Sequence, residues 1–425
     1  MLLRIRLYEL RKALLSPIIL ILIVVFCALN LLLVLQYSYL EKNLSVLNRL
    51  VDRFGFTIDQ PFTTELESYY NEQLSELNKK TQQTASQSYE HAADFFEYDN
   101  YMQYVAGQPE LYLQTEIDFF AELAEIETYY GLIQGIDAVY EQLDVAAIAQ
   151  FEIDKYGFSG AAANTVLQRY AKLDTRLNQL IANGEHKTMF FWGKAYEMHS
   201  LLFKTLFGTM MFELLVLVVL ITGYVTKYEF ENRTQSLVYS TKRGRNLAVD
   251  KLFVSLAATV IVTTVIIGFA LAVYFSTYSY SGLWQVPISS YFNGEKFPLI
   301  SWWEMSVLTY LLGVVIVVYF VQLLFSAIAF LLAHFLSNSY LVLVGFAICY
   351  GGAILLSSLI PLHSNAVFIS YFTPFHLILN PHRFFTEGGA FLTFKGYEMT
   401  TISCWMVLLT IACLFTLKRF KHQSI

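Results

Sequence analysis

Six long apolar stretches alternate with polar segments along the chain. A transmembrane helix needs about 20 consecutive apolar residues, because about 30 Å of hydrocarbon is crossed at about 1.5 Å per residue. Only the second stretch contains a charged residue, Glu213. The pattern predicts six transmembrane helices, over residues 17–35, 206–225, 252–275, 305–333, 340–362 and 399–417.

The polar segment 36–205, between the first two stretches, also has helical periodicity. Apolar residues recur at spacings of four and three from Leu40 to Ile58, where Pro61 is predicted to end the helix. The same spacing occurs over 119–136 and 166–180, and Asn183-Gly184 is a typical helix stop. We expect an all-α domain with a pair of stalk helices and a helical cap. We interpret its many tyrosines as helix packing residues, and the alternative is an aromatic, acidic surface for a cationic or amphipathic cargo.

Composition agrees with a membrane protein. Hydrophobic residues make up 56% of the 425 and charged residues 15%, whereas soluble domains carry about 25% charge. We therefore predict an all-α polytopic membrane protein with six transmembrane helices and an all-α domain between the first and second.

Lysine and arginine near the ends of the apolar stretches predict the orientation. The N-terminus, the loop 226–251 and the tail 418–425 together carry thirteen, and the alternate short loops carry three. The positive-inside rule places the richer loops, and with them both termini, in the cytoplasm. The segment 36–205, with 12 basic and 25 acidic residues, is then extracytoplasmic.

Residues 1–16 are predicted to form an amphipathic helix in the membrane interface. Arg4, Tyr8, Arg11 and Lys12 share one helical face and leucines the opposite one. The following stretch is too long for the core of a signal peptide and no small-x-small cleavage pattern follows it, so we expect it to remain as an anchor.

The loop 226–251 contains a pattern of acidic, hydroxyl and basic residues: Glu229, Glu231, Arg233, Thr234, Arg243, Arg245 and Lys251. This pattern resembles the coupling loop of ABC-2 type permeases, the membrane subunits of ATP-binding cassette exporters. Lys242 stands where that family commonly has proline. The resemblance implies that this loop docks on an ATP-binding subunit. The alternative is that the basic residues only set the orientation.

The segment 363–398 is similar to the proline-interrupted re-entrant hairpin of the same family. Pro374 and Pro381 interrupt helix formation. Broken backbone at membrane depth is tolerated only when protein buries it or it lines a cavity. The resemblance covers most of the membrane portion in architecture and about 35 residues in motif. It implies a large external domain only for a subset of bacterial members.

The sequence contains no Gly-x-x-x-x-Gly-Lys-Ser/Thr phosphate loop. We therefore expect that this chain is not an enzyme and binds no cofactor. ATP and Mg²⁺ are expected to bind to the separate ATP-binding subunit. The resemblance implies two ATPase subunits and a second copy or paralogue of the permease. The lipid bilayer is the remaining predicted partner, and binding to nucleic acid is not expected. The expected location is a bacterial plasma membrane, and the expected cargo an amphipathic peptide, a lipid or a drug-like molecule.

Three alternatives stay open at this stage. Glu213, an acid inside a transmembrane stretch, belongs either to a transport pathway or interface, or to a structural pair between helices. The whole protein is either a transporter subunit or a sensor that relays motion from its external domain to a cytoplasmic ATPase. An intramembrane enzyme is disfavoured, because it would need paired catalytic groups within the stretches.

Overall fold

The computed structural model describes residues 2–240 and 244–422, and within them the protein is all-helical. Besides helices, these residues form three isolated β-bridges, and they form no extended strand. The α-helices are α1 (Leu2–Leu14), α2 (Pro17–Gln36), α3 (Glu41–Phe54), α4 (Gln60–Ala85), α5 (Tyr98–Tyr101), α6 (Gln114–Ile133), α7 (Ile136–Glu141), α8 (Val145–Tyr156), α9 (Gly160–Ala182), α10 (Lys194–Ser200), α11 (Phe207–Glu231), α12 (Gln235–Tyr239), α13 (Leu247–Thr277), α14 (Val307–Phe335), α15 (Ser339–Leu359), α16 (Ala366–Tyr371), α17 (Pro374–Leu377), α18 (Gly389–Leu392) and α19 (Tyr397–His422).

Six helices among the described residues are long and apolar enough to cross a membrane, at the six places that the sequence predicts. They are α2, the helix that contains α11, α13, α14, α15 and α19. The second is longer than expected, because α10, a π-helical turn and α11 form one helix over Lys194–Glu231. Residues 194–205, which the sequence analysis assigned to the polar domain, therefore belong to this long helix.

The bundle is built around α11 and α14, whose apolar residues are mostly buried, whereas α2 and α15 are mostly exposed. Between the two central helices, Thr222 and Ser326 share a hydrogen bond of 3.0 Å, and Gln322 donates to the Met211 carbonyl at 3.2 Å. Polar side chains in an apolar bundle find partners in neighbouring helices, because no water is available. The exposed apolar helices consequently surround a core with internal hydrogen bonds.

The polar domain, residues 41–193, is helical as predicted, but its first helix ends early. Leu44, Leu47 and Val51 are buried on one face of α3. The helix stops at Phe54 because Gly55 adopts φ +82° and ψ −179°, a conformation that suits glycine and breaks the helical ladder. Pro61 begins α4 instead of ending α3, since the first turn of a helix needs no N–H from proline.

The predicted stalk also differs from the structure. The helix over 160–182 ends before Asn183, as the sequence predicts, but it does not continue into the second transmembrane helix. Its main neighbour is α8, while α3 packs against α10, the start of the long helix. The two helices that extend side by side from the apolar bundle into the polar domain are therefore α3 and α10.

The polar domain rests on the connection between α13 and α14. Arg176, on α9, donates two hydrogen bonds to Glu185, of 2.8 and 2.6 Å, and a third to the Ser301 carbonyl at 2.9 Å. Both charged side chains are buried. Ser290 donates to the Thr188 carbonyl at 2.6 Å. These polar contacts fix the domain to the bundle.

A second contact joins α9 to the segment before α19. Thr165 pairs with Asn365 at 2.8 Å, Tyr170 donates to Glu387 at 3.2 Å, and the Arg169 guanidinium donates to the Phe391 carbonyl. Glu387 also forms an ion pair with Lys296. The connection before α14 and the connection before α19 thus contact each other, and both contact the polar domain.

We predict that Arg176→Ala will loosen the polar domain from the bundle. Removing one partner of a buried ion pair leaves the other charge uncompensated, at a cost of about 3–5 kcal/mol. The apparent melting temperature of the purified protein should fall clearly, and the domain should become more sensitive to protease. Lys42→Ala breaks an exposed pair with Asp118, is worth about 0–1 kcal/mol, and should leave both readouts nearly unchanged. Equal effects of the two changes would contradict the interpretation.

Candidate functional site

The N-terminal helix α1 separates the residues that the sequence grouped on one face. Arg4, Tyr8 and Arg11 are exposed, whereas Lys12 points toward the bundle and lies 3.5 Å from the centre of the Tyr228 ring. Because α1 packs mainly on α13, its inward face is partly charged. Only three of the four predicted residues therefore form an exposed basic and aromatic face.

Two of the predicted coupling residues, Glu229 and Lys251, form a buried ion pair. Glu229 lies near the end of α11 and is 4% exposed, and Lys251 lies near the start of α13 and is 3% exposed. The Lys251 ammonium also donates to the Thr226 carbonyl at 3.2 Å. Glu229 and Lys251 therefore join the two helices on either side of the loop, and neither presents its charge at the surface.

The pair is the centre of a larger buried ion cluster. Lys12 lies 2.8 Å from Glu9 and 3.7 Å from Glu229. Arg6 donates to the buried Asp250 at 2.8 Å. Glu9, Lys12, Glu229 and Lys251 thus form a row of alternating charges. The pair of the half-buried Arg6 with Asp250 lies beside this row, between α1 and α13. We call this set the buried ion cluster: Arg6, Glu9, Lys12, Glu229, Asp250 and Lys251.

Glu231, the last residue of α11, interacts with the beginning of α15. Its carboxylate accepts hydrogen bonds from the backbone N–H and from the hydroxyl of Ser339, both at 2.7 Å. A carboxylate at a helix N-terminus satisfies an otherwise unpaired N–H and interacts favourably with the helix dipole. Glu231 therefore has a structural partner within the chain.

The short helix α12 is the exposed part of the predicted coupling loop. Arg233 adopts φ +56° just after α11, which turns the chain out of the long helix. Arg233 and Thr234 are exposed, and Leu237 on α12 is 73% exposed. Arg243 and Lys242 lie outside the described residues, and of Arg245 only the backbone is described, in a 3₁₀ turn. Among the described residues of the loop, the exposed ones therefore include Arg233, Thr234 and Leu237.

Glu213 is paired with the first transmembrane helix. The Asn30 amide donates to its carboxylate at 2.8 Å, and both side chains are buried. This contact joins α2 to α11 and agrees with the structural-pair alternative. The signal was present in the sequence, because Asn30 is a polar residue within the first apolar stretch.

The two prolines of the predicted hairpin begin short helices in a segment folded between α15 and α19. Pro374 starts α17, and Pro381 starts a 3₁₀ turn over Pro381–Arg383. Both are buried, and α17 packs against α14, α15 and α19. The broken backbone is therefore buried in protein, as the sequence argument required.

A polar cluster that the sequence did not predict lies at the opposite end of the long helix. Glu295 accepts a hydrogen bond from the Tyr196 hydroxyl at 2.5 Å and lies 3.2 Å from His382. Burial raises the pKa of the Glu295 carboxyl, but the contacts with His382 and Tyr196 outweigh it and lower the pKa to about 2. The partners are about 100 residues apart in sequence, so no local motif could have indicated them.

Comparison with protein-family models, with curated proteins and with solved structures found no match to this chain. The resemblance to ABC-2 type permeases therefore stays a prediction. Within the described residues, no group of histidine, cysteine, aspartate and glutamate side chains has the geometry of a metal site.

We predict strong coupling between Glu229 and Lys251 in a double-mutant cycle. Glu229→Leu or Lys251→Met alone leaves a buried charge without its closest partner and should cost about 3–5 kcal/mol, while the double variant should lose much less than the sum. Apparent melting temperatures of the four proteins in one detergent measure the coupling. Lys79→Met, which breaks an exposed pair with Glu76, should have little effect. Additive losses would show that the two charges do not act as a pair.

Proposed function

We propose that this chain is the permease subunit of an ATP-driven transporter of the ABC-2 type, exporting an amphipathic peptide, a lipid or a drug-like molecule. Under this proposal α12 is the coupling helix and contacts a separate ATPase in the cytoplasm. Two ATPases and a second permease, identical or not, complete the transporter, and ATP and Mg²⁺ bind to the ATPases.

The observation that supports the proposal best is the position of α12. It presents Leu237 outward between two transmembrane helices, and the exposed Arg233 lies in the turn just before it. An exposed apolar side chain beside a basic one would suit a groove with an apolar floor and an acidic rim. The exposed Arg4 and Arg11 of α1 lie at the same end of the bundle and would extend the contact.

The buried ion cluster suggests how movement of α12 would reach the membrane. α12 follows α11 after three residues, and Glu229 on α11 is paired with Lys251 on α13 and close to Lys12 on α1. Closure of two ATPases would therefore move the ends of α1, α11 and α13 together. Alternating access along a permease interface requires such concerted movement of helices.

A sensor that relays motion without moving cargo is the second candidate. It is favoured by the firm attachment of the polar domain through Arg176 and Tyr170, which would transmit a movement of that domain to α14 and α19. Reconstitution with the ATPase distinguishes the two. A transporter accumulates or expels cargo, whereas a relay hydrolyses ATP in response to a ligand and moves nothing.

We predict that Leu237→Asp and Arg233→Asn will reduce copurification of the ATPase about tenfold or more. Both change exposed side chains, and asparagine tolerates the left-handed backbone of position 233. The melting temperature of the membrane subunit should stay unchanged. Ser68→Asp, an exposed change on α4 of the polar domain, is the matched control and should retain the ATPase.

Glu229→Gln separates docking from folding. It should lower the melting temperature without removing an exposed contact. If the ATPase remains bound after both α12 changes, α12 is not the docking surface. If no ATPase copurifies with the unmodified protein under any condition, the proposed function itself is wrong.

A further inference from the structure

Two neighbouring cavities lie between α13, α14 and α19. The first has a volume of about 330 Å³ and apolar walls that include Leu256 of α13, Leu323 of α14 and Leu409 of α19. Its outer edge is formed by exposed residues such as Met406 and Leu414. The cavity is therefore a groove that opens sideways, toward the surface that lipid would contact.

The second cavity, of about 320 Å³, lies at the end of the same helices that is nearest to α12. Its walls include Lys227, Lys251, His334 and Arg419, and none of the described residues that line it is acidic. A small apolar cluster of Ala248, Phe330, Cys413 and Leu417 separates the two cavities, and its members line one or the other. A basic pocket thus adjoins an apolar groove.

Lys227 is the most unusual residue of this pocket. It is 6% exposed, yet among the described residues its ammonium has neither a hydrogen bond nor an ion pair, and it lies 4.6 Å from the centre of the Phe230 ring. Glu231 acts on it through space without forming an ion pair, and the Glu231 carboxylate accepts its hydrogen bonds from Ser339. A charge in such a poorly hydrated place is costly without a close partner.

Two other ionisable groups around the pocket already have partners. Lys251 is paired with Glu229, and the His334 imidazole contacts the Phe330 carbonyl at 2.8 Å. Arg419 is exposed at the rim. The pocket therefore has an excess of positive charge, and an anion is the missing component.

We propose that this composite site binds one anionic phospholipid from the adjacent leaflet. The phosphate interacts with Lys227 and Arg419, and an acyl chain occupies the groove between α13, α14 and α19. Basic pockets between transmembrane helices commonly bind lipid head groups in this way.

The chemistry of the two cavities argues against other occupants. An apolar helix of a second copy would cover the groove and leave the basic pocket without an anion. A free phosphate would occupy the basic pocket and leave the apolar groove without a role. A lipid uses both cavities and reaches them from the side, through the exposed edge formed by Met406 and Leu414. The inference does not depend on the proposed transport function.

Native mass spectrometry of the delipidated full-length protein in a neutral detergent tests the site. We expect dioleoylphosphatidylglycerol to bind about tenfold more tightly than dioleoylphosphatidylcholine. Lys227→Gln should abolish this preference, and Ala327→Phe, which fills the groove from α14, should weaken the binding of both lipids. Lys418→Gln removes an exposed charge of α19 that does not line the pocket and should change nothing.

Melting temperatures supply an independent readout. Phosphatidylglycerol should raise the melting temperature of the unmodified protein and not that of Lys227→Gln. Without lipid, Lys227→Gln should melt at the same temperature or higher, because it removes an unpaired buried charge. If that variant does not fold, Arg419→Gln serves in its place and should reduce the preference.

Two results would overturn the proposal. One is equal affinity of the unmodified protein for the two lipids, or a preference that Lys227→Gln retains. The other is displacement of phosphatidylglycerol by inorganic phosphate at similar concentration with no effect of Ala327→Phe, which would identify a site for free anions.

Discussion

The buried ion pair between Glu229 and Lys251 is the interaction on which the architecture at the α12 end depends. In a medium of low dielectric constant, two opposite charges in contact attract strongly, and either one alone is costly. The pair therefore fixes the end of α11 against the start of α13. Because Lys12 contacts Glu229 and Arg6 contacts Asp250, α1 is fixed at the same point. The orientation of α12, which connects α11 to α13, follows from these contacts.

The same requirement, that buried polar groups have partners, also explains the other end of the bundle. There Arg176 is satisfied by Glu185 and by a carbonyl of the connection before α14, and Glu295 by Tyr196 and His382. These contacts join segments that are distant in sequence. Polar side chains consequently fix both ends of the bundle, and its middle combines apolar packing with a few hydrogen bonds, such as that between Thr222 and Ser326.

Sequence analysis predicted what depends on local pattern. The six apolar helices and the stop after α9 are found where hydrophobic length and the Asn183-Gly184 signal placed them. The predicted end of α3 was wrong. The apolar periodicity continues to Ile58, but the backbone conformation of Gly55 ends the helix at Phe54. The placement of the polar domain outside the cell stays a prediction.

The candidate site was predicted less well, because its properties depend on contacts between distant residues. Charge density in the loop 226–251 indicated a docking surface, yet Glu229 and Lys251 pair with each other, 22 positions apart, and are buried. The proposed docking surface, Arg233 with Leu237, depends on a left-handed turn that sequence pattern did not indicate. The unpaired Lys227 also looked like any other basic residue of the loop, and only the cavity around it distinguishes it.

Under the proposed topology, α12 faces the cytoplasm and the polar domain lies outside the cell. Cysteine labelling in spheroplasts tests this topology most directly. The four native cysteines lie within transmembrane helices and are first replaced. Ser236→Cys and Ser68→Cys then place single exposed thiols on α12 and on α4. The account predicts that an impermeant maleimide labels position 68 in intact spheroplasts and position 236 only after permeabilisation. Labelling of position 236 from outside would contradict it.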